Sequence, residues 1–109
     1  MIDIVIILHR QVQIIKPGKW KDLEELNKKF EAEEKRIGFP DTKKRWRALM
    51  GPHHLNTQIV EQVWESMGKL EKTITKALLD PEYQKLVEKL EDIVEKSWWE
   101  IYTPLPLPF

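Results

Sequence analysis

The chain contains no cysteine. That removes a disulfide framework, a thiolate metal site and a thiol nucleophile together. It also lacks an excess of either charge: 18 basic and 18 acidic residues leave a formal net charge of zero, so no long-range field draws in nucleic acid or an anionic membrane. Long apolar runs are missing too. The stretch IVIIL at 4–8 falls far short of the ~20 residues that span a bilayer, and no basic segment precedes an apolar one at the N-terminus. The motif inventory is equally bare, with no Gly-rich phosphate loop, no G-x-S-x-G elbow and no helical H-E-x-x-H. What remains is a protein that selects partners by local shape, with a soluble cytoplasmic setting as the default expectation.

What is present points to a single folded unit. A chain of 109 residues buries roughly 60–70 % of its unfolded surface and needs no staples. The wealth of lysine, glutamate and isoleucine resembles the composition of thermophile proteins, in which charged networks replace labile residues.

Residues 2–15, IDIVIILHRQVQII, are rich in β-branched side chains without helical periodicity, which predicts a long first strand. Its faces differ. Even positions Ile4, Ile6, Leu8, Val12 and Ile14 are almost all apolar, whereas the odd ones run Val5, Ile7, His9, Gln11 and Gln13, so one face meets a core and the other something mixed. Pro17 and Gly18 end the strand. Over 19–37, Trp20, Leu23, Leu26, Phe30 and Ile37 form one helical stripe, flanked by i,i+4 pairs such as Glu24/Lys28 and Glu31/Lys35 and stopped by Gly38 and Pro40.

Residues 43–50 (KKRWRALM) and 57–65 (TQIVEQVWE) read as strands joined by GPHHLN, an antiparallel hairpin with His53 and His54 near its tip. Ser66 caps a helix carrying Met67, Leu70, Ile74 and Leu78. Asp80 then recaps it, with Pro81 at the first helical position of DPEYQKLVEKLEDIVEKS. WWEIYT at 98–103 is the expected last strand, so that 1–103 form the domain and 104–109, PLPLPF, an extended proline-rich tail.

The order strand, helix, strand, strand, broken helix, strand predicts an α+β class: a ferredoxin-like βαββαβ unit with both helical segments on one face of a four-stranded antiparallel sheet. The other face stays bare. A naked surface with Val5, Ile7, Ile15 and a tryptophan gains about 1.5–3 kcal/mol per side chain on burial, comparable in sum with an association cost of about 4–15 kcal/mol, which predicts a homodimer through the sheet.

The first strand with KPGK at 16–19, VWES at 63–66, DPEY at 80–83 and WEIYTPL near the end resemble the dimeric α+β barrel superfamily. Its NIPSNAP-like and antibiotic-biosynthesis-monooxygenase-like members look closest. The resemblance implies two sheets meeting face to face in a homodimer. Haem-degrading members use an Asn on the first strand, a Trp at the end of the third and a His on the following helix. Only Trp64 has a counterpart here, since no Asn precedes Asn27 and no His follows His54.

Four constellations compete for a functional role. Adjacent His53 and His54 diverge on turning backbone, and no cysteine helps them, so a hairpin turn outweighs a metal site. His9 lies mid-strand beside Gln11, where it lines a cavity or sits satisfied at an interface. Arg45 and Arg47 flank Trp46 and suit an anionic group, or serve as solvated edge charges. Trp64, Trp98, Trp99 and Tyr102 gather at strand ends, as a clamp for a planar ligand or as core anchors. Asp3, Glu61 and Glu100 lie on different strands and receive no acid/base role.

The resulting expectation is a homodimeric small-molecule-binding or interaction module, its pocket lined by His9, Arg45, Trp64 and Trp98 and taking a small apolar or aromatic ligand. No metal, cofactor, nucleic acid or membrane partner is expected, and no catalytic residue is assigned. The competing expectation is a cofactor-free monooxygenase or isomerase of the same fold, which requires polar side chains converging on an aromatic-walled cavity of about 300 Å³ or more. A nucleic-acid-binding domain is disfavoured by neutral charge and the lack of a paired aromatic platform.

Overall fold

Pro17 has no N–H for a ladder and Gly18 sits at φ 78°, so the chain swings out of its first strand directly into a helix. The computed structural model describes residues 6–106; the expected strand start at 2–5 and the tail residues 107–109 lie outside them. The elements run β1 (Ile7–Ile15), α1 (Trp20–Ile37), β2 (Lys44–Arg47), β3 (Thr57–Trp64), α2 (Met67–Leu78), α3 (Pro81–Ile93) and β4 (Val94–Tyr102). The strands form one antiparallel sheet in the order β2-β3-β1-β4. This is the ferredoxin-like α+β arrangement.

Helix ends follow their local chemistry. Gly38 takes φ 111° and donates its N–H to Glu34 O at 3.0 Å, closing α1. Ser66 Oγ accepts from Lys69 N at 3.2 Å to open α2. Asp80 Oδ1 accepts from Glu82 N and Tyr83 N at 3.0 and 3.1 Å to open α3, with Pro81 first in the helix.

Two boundaries depart from the sequence expectation. The second strand ends at Arg47 instead of residue 50, because the backbone already bends at Leu49 and Met50 on the way to Gly51 at φ 125°, leaving both side chains exposed. The last strand begins at Val94 instead of residue 98. Val94 closes α3 by donating to Leu90 O, yet already has extended backbone and pairs with Ile15 across a bulge.

The faces of β1 are also reversed. Ile7, His9, Gln11, Gln13 and Ile15, the mixed row expected on the bare side, lie beneath the helices. Ile15 joins a core with Leu23, Leu26, Phe30, Leu86 and Ile93, and Ile7 joins a second with Trp64 and Leu70, backed by Phe39 and Ile74. The helix-facing row is thus apolar at both ends and polar in the middle. Helices anchored at the ends leave room between, and the polar middle lines a cavity. The apolar even row, with Leu8, Val12 and Ile14, lies on the helix-free face beside Ile59, Val63, Trp98 and Tyr102.

Candidate functional site

Register builds the cavity floor. One cross-strand row runs Arg45, Val60, Gln11, Trp99, and its neighbours pair His9 with Gln62 and Gln13 with Gln58. Above it α1 contributes Asn27, Phe30 and Glu34, while α2 and α3 contribute Ile74, Leu78, Tyr83, Val87 and Leu90. The cavity is partly open to solvent and has a volume of ≈ 210 Å³. That is below the roughly 300 Å³ at which pockets for drug-sized ligands begin, so it suits a smaller molecule.

Buried amides on this floor satisfy one another, as burial demands. Asn27 Nδ2 donates to Gln58 Oε1 at 2.8 Å, Gln58 Nε2 donates to Gln13 Oε1 at 2.8 Å, and Gln62 Nε2 donates to Pro40 O at 2.7 Å. Lys43 Nζ reaches both carboxylate oxygens of Glu34 at 2.6 Å, and Tyr83 OH donates to Glu34 Oε2 at 3.3 Å. Burial pushes the Lys43 ammonium below its ordinary range against the opposing pull of Glu34, and burial with the Glu34 charge pushes the Tyr83 phenol up. Tyr83 therefore stays a protonated donor.

His9 is the exception among these groups. It is 8 % exposed, and its Nε2 has no hydrogen-bond partner among the described residues. Its ring lies 4.2 Å from that of Trp99. Burial, assisted by the Lys43 charge, lowers its pKa to about 4, so at neutral pH it is an uncharged imidazole with a free nitrogen. The buried Arg45 Nε is likewise unpaired among the described residues, although Arg45 Nη1 meets Glu31 Oε1 at 2.9 Å.

Of the four residues expected to line a pocket, His9 and Arg45 line this one. Trp64 shares their face but is packed into the Ile7 core, its ring 5.6 Å from Phe39. Trp98 projects from the opposite face, opposite Val12, and Trp99 stands where Trp98 was expected. Adjacent tryptophans on a strand must diverge, so they cannot form one clamp. Arg47 lies over the Trp20 ring, 4.1 Å from its centroid, outside the cavity.

The residues missed by sequence reasoning are Glu34, Lys43 and Gln62, while Trp99, weighed there only as one of four clamp aromatics, is the one of those four that lines the cavity. Glu34 did leave a signal. The α1 stripe through Leu26, Phe30 and Ile37 passes through position 34, and a carboxylate on a core stripe must have a buried partner.

The histidine pair at the hairpin is a turn. His54 Nδ1 accepts from Asn56 N at 3.0 Å, and His53 packs 5.9 Å from the Trp98 ring. Among the described residues no group of three or more His, Cys, Asp or Glu is placed to hold a metal ion, and no helix is long and apolar enough to cross a membrane.

The helix-free face carries its own polar cluster. Arg10 Nε reaches Glu61 Oε2 at 3.3 Å and Arg10 Nη1 reaches Glu100 Oε1 at 3.7 Å. Trp46 Nε1 donates to Glu61, while Trp98 Nε1 and Tyr102 OH donate to Glu100, at 2.7–2.9 Å. Hydrogen bonds from Tyr102 and Trp98 hold the Glu100 carboxyl below its usual range. The two glutamates, which strand separation seemed to keep apart, meet through Arg10 because it lies between them in register.

No family model matches the chain, and no curated protein matches it. Solved structures do. A NIPSNAP family protein from Agrobacterium tumefaciens superposes with a TM-score of 0.73 at 20 % identity, over 98 % of this chain and 92 % of that one. A second from the same organism, described as of unknown function, gives 0.75 at 15 %, over 92 % and 88 %. An uncharacterised NIPSNAP-like domain protein from Burkholderia xenovorans gives 0.72 at 19 %, over 96 % and 90 %. Identities this low carry architecture and not activity. The chain therefore has the α+β, ferredoxin-like fold of the NIPSNAP-family structures, as the resemblance in its sequence implied.

Proposed function

We propose that this protein is a homodimeric small-molecule-binding module that holds a small apolar or aromatic ligand between its helices and the polar middle of its sheet. The observation that carries the reading is His9: a buried imidazole with an unpartnered Nε2, facing a cavity walled by Phe30, Val87, Leu90 and Trp99. A lone buried polar atom is costly, by about 1–3 kcal/mol, and a ligand hydrogen bond offsets that cost. Dimerisation through the helix-free face is supported by Trp46, Val63 and Tyr102, which are 53, 40 and 46 % exposed there. Burying the half of each side chain that is still exposed is worth roughly 2–4 kcal/mol together, at about 1.5–3 kcal/mol for a whole side chain.

A cofactor-free monooxygenase or isomerase is the second reading, supported by the Tyr83–Glu34–Lys43 cluster beside the cavity. The low basicity of His9 weighs against it, because a general base works best with a pKa near the operating pH. Ligand-observed NMR with small aromatic fragments tests the binding reading. Saturable binding that disappears when Leu90→Trp fills the cavity supports it; binding that persists unchanged in that folded variant refutes it. Light scattering on the same sample reads the subunit number, and a strict monomer refutes the dimer.

A further inference from the structure

The polar atoms left without partners in the cavity define the chemistry of what enters it. Arg45 and Lys43 both line the cavity, and Glu34 is the single carboxylate there. That carboxylate is already occupied on both oxygens by Lys43 at 2.6 Å. Arg45 finds its partner outward, in Glu31, whose side chain is 64 % exposed and therefore well screened by water. Its buried Nε–H is left unpaired among the described residues. Guanidinium nitrogens only donate, so that group can be met only by an acceptor. His9 Nε2 belongs to a neutral imidazole and donates or accepts according to its tautomer. The cavity thus presents a buried guanidinium N–H without an acceptor and a neutral imidazole nitrogen without a partner among the described residues, and its one carboxylate is already held by Lys43.

Across the same floor Val60 and Trp99 supply apolar surface on either side of Gln11. Val60 lies beside Arg45 and Trp99 at the far end of the row, with Val87 and Leu90 above. We propose that the cavity selects small monocarboxylic acids with an aromatic or branched apolar body, the carboxylate accepting from Arg45 Nε and the body lying over Val60 toward Trp99. This inference rests on the binding reading above and narrows it from apolar ligands in general to organic monoanions. Charge-assisted hydrogen bonds from guanidinium to carboxylate are the strong class, which is why one cation suffices to discriminate an acid from its neutral isostere.

The test is isothermal titration calorimetry on the full chain at pH 7 with phenylacetate and with phenylacetamide, which share shape and differ in charge, and with benzene as an uncharged apolar probe. The expected result is at least tenfold tighter binding of phenylacetate than of phenylacetamide, with the preference lost in Arg45→Gln. The wild-type comparison stands alone should that variant not fold, and Arg45→Lys, which keeps the charge and removes Nε, then reports the donor. Equal binding of acid and amide overturns the anion preference and leaves the cavity reading intact. No binding of any of the three overturns both. Acid preference retained in folded Arg45→Gln overturns the assignment to Arg45.

Discussion

Acidification should unload stability through His9, and the size of the effect follows from its surroundings. The imidazole sits on β1 beneath α1 and α3, with Lys43 and Arg45 as nearby cations, Glu34 as the facing carboxylate and Tyr83 as a neutral phenol. Burial first, and Lys43 second, lower its pKa from 6.5 to about 4. The unfolded chain therefore binds more protons than the folded one between those values. Stability is fully present above pH 6.5, declines as pH falls toward 4, and loses nothing further from this group below that. At about 1.36 kcal/mol per unit the whole loss is roughly 3 kcal/mol. Urea unfolding at fixed protein concentration between pH 7.5 and 4.5 should show the wild type losing about 2–3 kcal/mol more than His9→Gln over that range. Carboxylates titrate in both proteins and cancel in the comparison. Parallel pH profiles for the two would refute the argument that His9 is held neutral by burial.

Further outcomes follow from the same geometry. Lys43→Met strands the Glu34 carboxylate, which is buried, and should cost about 3–5 kcal/mol, whereas the double variant Lys43→Met/Glu34→Leu should recover most of it; a denaturant double-mutant cycle checks this. Leu23→Ala, at a side chain 1 % exposed in the main core, should cost about 2–5 kcal/mol by chemical denaturation without altering fragment binding. Val63→Asp on the helix-free face, where Val63 pairs with Leu8 and is 40 % exposed, should shift the proposed dimer toward monomer in light scattering.

The architecture was legible because its signals are local. Pro17–Gly18, Gly38, Ser66 and Asp80–Pro81 each act on the backbone next to them, and the structure puts breaks or caps at all of them. The orientation of β1 was not legible. Apolar alternation pointed Leu8, Val12 and Ile14 at the core, but a helix layer that rests on Ile7 and Ile15 leaves the middle of the row free to be polar. Counting apolar residues along one strand cannot detect a core divided into two clusters. Register failed for the same reason at Trp98 and Trp99: a one-residue choice of strand start decides which of two neighbours faces in. Glu34 shows the opposite case, since a carboxylate interrupting an apolar stripe announces a buried partner through its spacing alone. Nothing local announces Lys43, which lies outside every helix and strand and reaches Glu34 by tertiary packing alone.

The central claim is that the space between the helices and the polar middle of β1 is a ligand site, and the three histidines offer an internal control for it. Imidazole ¹⁵N spectra of the histidine-labelled protein, recorded while phenylacetate is added, should show the His9 resonances moving to saturation while those of His53 and His54, at the hairpin turn, stay in place. Saturable shifts at His53 or His54 with His9 unmoved would contradict it.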